Sequence, residues 1–118
     1  MKTILITIIV LGVLYVFYKT YSTSHVDNDL SQLIDKNAVI LDVRTKVEFE
    51  GGHIKGAVNI PLSSLRTVAL PFDSNRVIIT CCSHGLRSIK AVSVLQARGF
   101  KQVHNGGAWT DLDRYIKH

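Results

Sequence analysis

Cysteine is scarce in this 118-residue chain: there are two, and they are neighbours, Cys81 and Cys82. Neither stands at metal-ligand spacing from any of the five histidines, so no metal site is expected. A bond between adjacent cysteines would be strained and would act as a redox switch. The chain also lacks internal repeats, low-complexity tracts and any strong excess of one charge. Its net charge is +5; from His25 onward 12 basic residues face 9 acidic ones, which leaves +3. That balance is too mild to point to nucleic acid, although it favours small anionic ligands. The apolar start of the chain is followed by no A-x-A cleavage site and by no cysteine where a lipoprotein signal needs one.

That apolar start sets residues 1–21 apart. Ile4-Leu5-Ile6, Ile8-Ile9-Val10-Leu11 and Val13-Leu14 carry no charge, with Lys2 before them and Lys19 after. A helix over 3–21 would be about 28 Å long, close to the ~30 Å hydrocarbon core of a bilayer. Tyr15, Phe17, Tyr18 and Tyr21 gather at one end like an interfacial aromatic belt. Residues 1–21 therefore read as a transmembrane anchor or, as the rival, a signal peptide cleaved at Ser22-Thr23-Ser24. The basic amino terminus keeps that end inside. Either reading puts the remainder outside the cytoplasm: membrane-anchored on the periplasmic side if bacterial, or secreted after cleavage. Residues 22–28 are polar and read as a linker. Residues 29–118 are enough for one domain with a modest core.

Within that domain the loop Cys82-Ser83-His84-Gly85-Leu86-Arg87-Ser88 carries the chemistry. Val77 to Cys81 is short, apolar and rich in β-branching, and reads as a buried parallel strand. Ile89, Val92, Val94 and Leu95 then recur at helical spacing, ending at Gly99. The loop is thus expected where a strand hands over to a helix. The first amides of a helix have no intrahelical partner and lie at the positive end of its dipole. A thiol there ionises more easily, and the same amides can cradle an anion. Arg87 adds a fixed cation suited to an oxyanion or a carboxylate partner. Four residues separate Cys82 from that arginine (C-x4-R) and five separate Cys81 from it (C-x5-R), the latter being the spacing of cysteine phosphatases. Cys81 falls in the strand run, so Cys82 is the expected nucleophile. The blander reading makes both thiols small buried hydrophobes.

Strands at 38–43, 57–60, 77–81 and 102–104 alternate with helices at 45–50, 63–70, 89–98 and 109–116. Pro71 stops the second of these helices. The alternation argues for an α/β domain with a parallel sheet, whose ligand site lies at the carboxyl ends of the strands.

The loop resembles the active-site loop of the rhodanese (thiosulfate sulfurtransferase) family, and the resemblance extends beyond it. Leu41-Asp42-Val43-Arg44, Glu48-Phe49, Gly52-His53-Ile54, Gly56-Ala57 and Asn59-Ile60-Pro61-Leu62 are similar to the family's upstream signature. Gly99-Phe100, Val103, Gly106-Gly107 and Trp109 are similar to its closing one. Cys81 departs from the pattern, standing where an aromatic is common, and the stretch before Val39 is short. The resemblance implies a single domain with a parallel sheet of four to five strands and helices on both faces. It implies that Cys82 carries sulfur as a persulfide with no other cofactor. The donor would be thiosulfate or a persulfide, and the acceptor a small thiol, a protein thiol or cyanide. Ser83, His84, Gly85, Leu86, Arg87 and Ser88 would bind the anionic donor through their amides. Two alternatives stand beside this: a cysteine phosphatase using Cys81, and a non-catalytic rhodanese-like binding or redox-sensing module.

The supporting residues have both sharp and plain readings. Asp42 and Arg44, at the end of a strand, pair with each other or cap the next helix. Glu48 pairs with Arg44 or Arg87, or faces solvent. His53 shapes a turn beside Gly52. His84 sits on the loop itself, where it tunes the pocket or stays an idle loop tip. Trp109 packs.

Overall fold

The computed structural model describes residues 1–24 and 30–116. Helix α1 spans Lys2–Ser24, longer than the expected 3–21. Its first three linker residues, Ser22 to Ser24, continue the helix instead of breaking it. Serine and threonine cost only a few tenths of a kcal/mol each in a helix that is already formed, about 0.5 relative to alanine. The rest of the expected linker, 25–28, lies outside the described residues. Ile4, Leu5 and Val10, which point in different directions around α1, are 66%, 60% and 49% exposed. A helix apolar all round has no core-facing stripe. Lys2–Tyr21 is long and apolar enough to cross a membrane.

The remainder is built on a four-stranded sheet in which every neighbouring pair is parallel, in the order β2-β1-β3-β4. The strands are β1 (Val39–Asp42), β2 (Val58–Asn59), β3 (Ile78–Cys82) and β4 (Val103–Ala108). Helix α2 (Leu30–Asp35) precedes β1, α3 (Lys46–Glu50) and α4 (Leu86–Ala97) run between strands, and α5 (Trp109–Leu112) follows β4. The count matches the expected four to five strands, and all five residues of β3 are buried. A central parallel strand is covered on both faces, which is why its sequence is apolar without alternation.

The two faces have separate cores. On one, Leu41, Val43, Ile78 and Cys82 pack against Ala91, Val94 and Leu95 of α4, with Leu65, Phe100 and Val103 around them. On the other, Ile79 and Cys81 pack against Leu30 of α2, Ile54, and Leu112 of α5. Consecutive strand residues point to opposite faces, so the two neighbouring thiols lie on opposite sides of the sheet. Bridging them would require β3 to leave the sheet, which removes the vicinal-disulfide switch.

Several elements depart from expectation. The helix anticipated at 63–70 is a run of turns over 62–67, closed mostly by i→i+3 bonds such as Leu65 N to Leu62 O at 3.2 Å. The carbonyls of Leu65 and Val68 accept instead from the Arg98 guanidinium, at 2.8 and 2.7 Å. Helix α2 was not anticipated; its six residues are too short a window for periodicity, and buried Leu30 fixes it. Strand β4 extends to Ala108 through Gly106-Gly107, which composition argues against. Glycine is required there for room: a Cβ on Gly106 would lie 2.7 Å from the Thr80 carbonyl oxygen of β3. The closing helix at 109–116 shortens to α5 followed by a 3-10 turn at Asp113–Tyr115.

Candidate active site

Cys82 is the last residue of β3, and α4 begins at Leu86, three residues earlier than its apolar periodicity indicated. The chain turns between them at Gly85, whose φ of 96° is open to glycine and costly for other residues. This tight turn aims two backbone N–H groups at the sulfur: Gly85 N donates to Cys82 Sγ at 3.0 Å and Ser88 N at 3.4 Å. Cys82 itself is 1% exposed. The thiol thus lies at the base of a loop that presents it with donors.

A buried polar network holds those amides in place. Thr80 Oγ1 donates to the Ser88 carbonyl at 2.9 Å. Ser88 Oγ lies 2.7 Å from Asn105 Oδ1 and 2.9 Å from the Gly85 carbonyl, with one proton to share between them. Asn105 Oδ1 also accepts from Gly107 N at 3.0 Å. Ser88 was expected as an anion-binding amide; its buried hydroxyl also locks the loop to β4. Thr80 and Asn105 were missed. An asparagine inside a glycine-containing segment reads as turn chemistry, and only the sheet brings β4 beside the loop.

The mouth of the loop is organised by Glu48, 35 residues away from Ser83. Arg87 Nη1 and Nη2 donate to Glu48 Oε1 and Oε2 at 2.7 and 2.8 Å, a two-pronged ion pair. Ser83 Oγ donates to Glu48 Oε2 at 2.8 Å, and Arg87 Nη2 reaches Ser83 Oγ at 3.0 Å. Arg87 foremost, then Ser83, holds the Glu48 carboxyl well below the usual carboxylate range. Glu48 in turn raises the Arg87 guanidinium. Helix α3 delivers this carboxylate because Thr45 caps its first turn: Glu48 N donates to Thr45 Oγ1 at 3.3 Å, and Thr45 N returns to Glu48 Oε1 at 3.2 Å. Of the partners considered for Glu48, Arg87 is the one it takes. Its contact with Arg44 is confined to a backbone carbonyl, which accepts from Arg44 Nη1 at 3.3 Å.

Asp42 and Arg44 pair with each other. Arg44 Nε and Nη2 donate to the two oxygens of Asp42, which is fully buried, at 2.6–3.0 Å. Arg44 Nη2 also donates to the Gly52 carbonyl at 2.7 Å, and its guanidinium sits 4.9 Å from the Trp109 ring centre. The hydrogen bond to Asp42 raises the Arg44 guanidinium despite burial. The pair clamps the end of β1 to the 51–53 turn and α5, and neither residue caps α3. His53 shapes that turn as expected, its Nδ1 2.8 Å from the Phe49 carbonyl and its ring stacked on Phe49.

His84 and Leu86 are exposed, and Ser83 and Arg87 are half-buried. Ser83 and His84 line a cleft of about 670 Å³ together with Gly107, Thr110 and Arg114. Cys81 is enclosed on the far face, where burial foremost, then the Asp42 carboxylate, pushes its thiol far up. It is therefore not placed to serve the C-x5-R register. Among the described residues no three His, Cys, Asp or Glu side chains cluster to hold a metal.

Comparison with known proteins agrees with this fold. The family model for the Rhodanese-like domain matches residues 26–108. An uncharacterized protein of Bacillus subtilis, YqhL, is 37% identical over 70 residues, covering 59% of this chain and 56% of that protein. The chain thus spans little more than half of that relative. The thiosulfate sulfurtransferase PspE of Escherichia coli is 32% identical over 75 residues, covering 61% of this chain and 71% of that protein. A solved E. coli structure described as rhodanese with anions superposes with a TM-score of 0.57 at 31% identity, covering 63% of this chain and 89% of that one. With its parallel sheet, its cysteine at a strand-to-helix loop and a family match over most of its length, the chain belongs to the rhodanese-like domain family.

Proposed function

We propose that this protein is a sulfurtransferase in which Cys82 takes sulfane sulfur from thiosulfate or a persulfide donor and passes it to a thiol or to cyanide. Sulfurtransferases of this family carry sulfur as a covalent cysteine persulfide and need no cofactor. The observation that carries the reading is the pair of amides, Gly85 N and Ser88 N, already directed at Cys82 Sγ. Donors held in place before reaction stabilise developing charge without the cost of reorganising solvent.

In the first step the Cys82 thiolate attacks the outer sulfur of thiosulfate. The S–S bond of the donor breaks and sulfite leaves with its electron pair. Cys82 becomes a persulfide whose terminal sulfur bears the negative charge. The remaining loop amides and Arg87 bind the anionic donor. In the second step a thiolate acceptor attacks that terminal sulfur and the electron pair returns to Sγ.

Helix α1 supports a membrane location. Its exposed apolar surface suits lipid, and the lysine at its start favours an inside amino terminus. We infer an anchored protein with its catalytic domain outside the cytoplasm. Membrane fractionation followed by amino-terminal sequencing checks this, and a mature protein starting near His25 overturns it.

The decisive experiment on the chemistry is intact mass. The full chain in detergent is incubated with thiosulfate. A gain of one sulfur, absent in Cys82→Ser and present in Cys81→Ser, is expected. No gain, with phosphate-ester cleavage in its place, sinks the sulfur reading in favour of the phosphatase one.

A further inference from the structure

A second opening adjoins the loop on the α4 face of the sheet. It is a groove of about 410 Å³ between α4 and the 61–68 turns. Val43, Pro61, Leu62 and Val94 are among its apolar lining residues, and Arg66, Arg87 and Lys90 are its charged ones. Among the described residues no acidic one lines it. Arg87 is already paired with Glu48. Arg66 and Lys90 are exposed and make no ion pair among the described residues.

The groove is preformed. Arg98 of the α4 C-terminus holds the carbonyls of Leu65 and Val68, which fixes the turn segment against the helix. Leu65, fully buried, pins the same segment from below. The groove adjoins the reactive loop at Arg87, which belongs to both, and its Val43 packs in the same core as Cys82.

Its chemistry differs from that of a thiosulfate site. A compact inorganic dianion gains nothing from an apolar floor, and 410 Å³ is far more room than it fills. Pockets of about 300–1,000 Å³ with apolar walls and few polar groups suit small organic molecules. Two unpaired cations at the rim add a preference for negative charge.

We propose that this groove is the subsite of the sulfur acceptor, selecting small thiols that carry a carboxylate beside an apolar body, with Arg66 and Lys90 reading the charge. The assignment rests on the sulfurtransferase reading of Cys82. The acceptor's apolar body lies on Val43, Leu62 and Val94, and its carboxylate meets the two cations. Its thiolate attacks the outer sulfur of the Cys82 persulfide, the S–S bond breaks, and the acceptor leaves as a persulfide while the electron pair returns to Cys82.

The test uses the full chain in detergent and two matched acceptors, 4-(mercaptomethyl)benzoate and its neutral primary amide. The kcat/KM of sulfur release from the loaded protein is measured for each. The benzoate is expected to exceed the amide by about fivefold, as two solvent-exposed charge contacts allow. That ratio should fall to near one in Arg66→Gln/Lys90→Gln, with sulfur loading from thiosulfate unchanged. It should also fall in high salt. A wild-type ratio near one, or a ratio that survives the double substitution, overturns the assignment. Equilibrium binding of the unreactive S-methyl ether of the benzoate separates this from the parent reading, since it needs no persulfide. Binding weakened by the double substitution supports the groove even if no sulfur is ever loaded. Absent or unweakened binding removes the groove whatever Cys82 does.

Discussion

Glu48 and Arg87, 39 residues apart, meet through both carboxylate oxygens at 2.7 and 2.8 Å, and Ser83 of the loop closes onto the same carboxylate. The pair ties α3 to the first turn of α4 and so sets the shape of the loop's mouth. Because its side chains are about one-third exposed, 35% and 34%, solvent screens much of the attraction. Glu48→Gln is therefore expected to cost only about 0.5–1 kcal/mol of stability. It should slow sulfur loading more visibly, since Arg87 and Ser83 both lose their fixed partner.

The same pair has a pH signature. The Glu48 carboxyl is held below its ordinary value of 4.5, so the folded state binds that proton less readily than the unfolded chain. Its contribution is complete above 4.5 and is lost as pH falls from there through the depressed folded value. Thermal melts of wild type and Glu48→Gln should differ at pH 7 and converge in strong acid. A gap that stays constant between pH 7 and pH 3 contradicts the assignment.

Arg44→Gln should be far more damaging. It leaves the Asp42 carboxylate, fully buried, without its cation. Breaking a buried pair on one side costs about 3–5 kcal/mol. Urea denaturation reads this directly, and a loss below 1 kcal/mol would show the carboxylate to be solvated or protonated.

Asn105→Ala removes the acceptor shared by the Ser88 hydroxyl and the Gly107 amide. An unsatisfied buried donor costs about 1–3 kcal/mol. Because Ser88 also supplies an amide to Cys82, the rate of sulfur loading should drop while the mass gain at saturation persists. Loss of stability with an unchanged loading rate would confine Asn105 to a packing role.

Gly106→Ala tests the approach of β4 to β3. The added methyl would lie 2.7 Å from the Thr80 carbonyl oxygen, 2.8 Å from Ile79 Cγ2 and 2.9 Å from Leu112 Cδ2. Overpacking of this kind costs about 1–3 kcal/mol. The clash is steric, since this glycine does not adopt a positive φ. A melting temperature equal to that of wild type rejects it.

The parts legible in the sequence were those with a local cause. The apolar run of 77–81 reads as a buried strand because both of its faces are covered. The helix at 45–50 was legible, and in the structure Thr45 and Glu48 hold its first turn through a capping box. The Cys82 loop stood out because glycine and arginine follow the cysteine at distances that suit a strand-to-helix turn. The 63–70 segment misled because a locally helical composition is outweighed when Arg98, from a distant helix end, takes its carbonyls.

By itself the sequence determined the class of the fold, the apolar helix at the front, and Cys82 rather than Cys81 as the thiol at the loop. The last two follow from residue types within a few positions of one another, and the first from the order in which such local patterns alternate along the chain. Tertiary structure alone decided which residues surround that thiol. Glu48 reaches Ser83 and Arg87 from 35 and 39 residues away, and Asn105 reaches Ser88 from 17. It also decided that α4 and the 61–68 turns leave a groove with a basic rim. Such contacts depend on which strands pair and in what register, and no local pattern of residues encodes that.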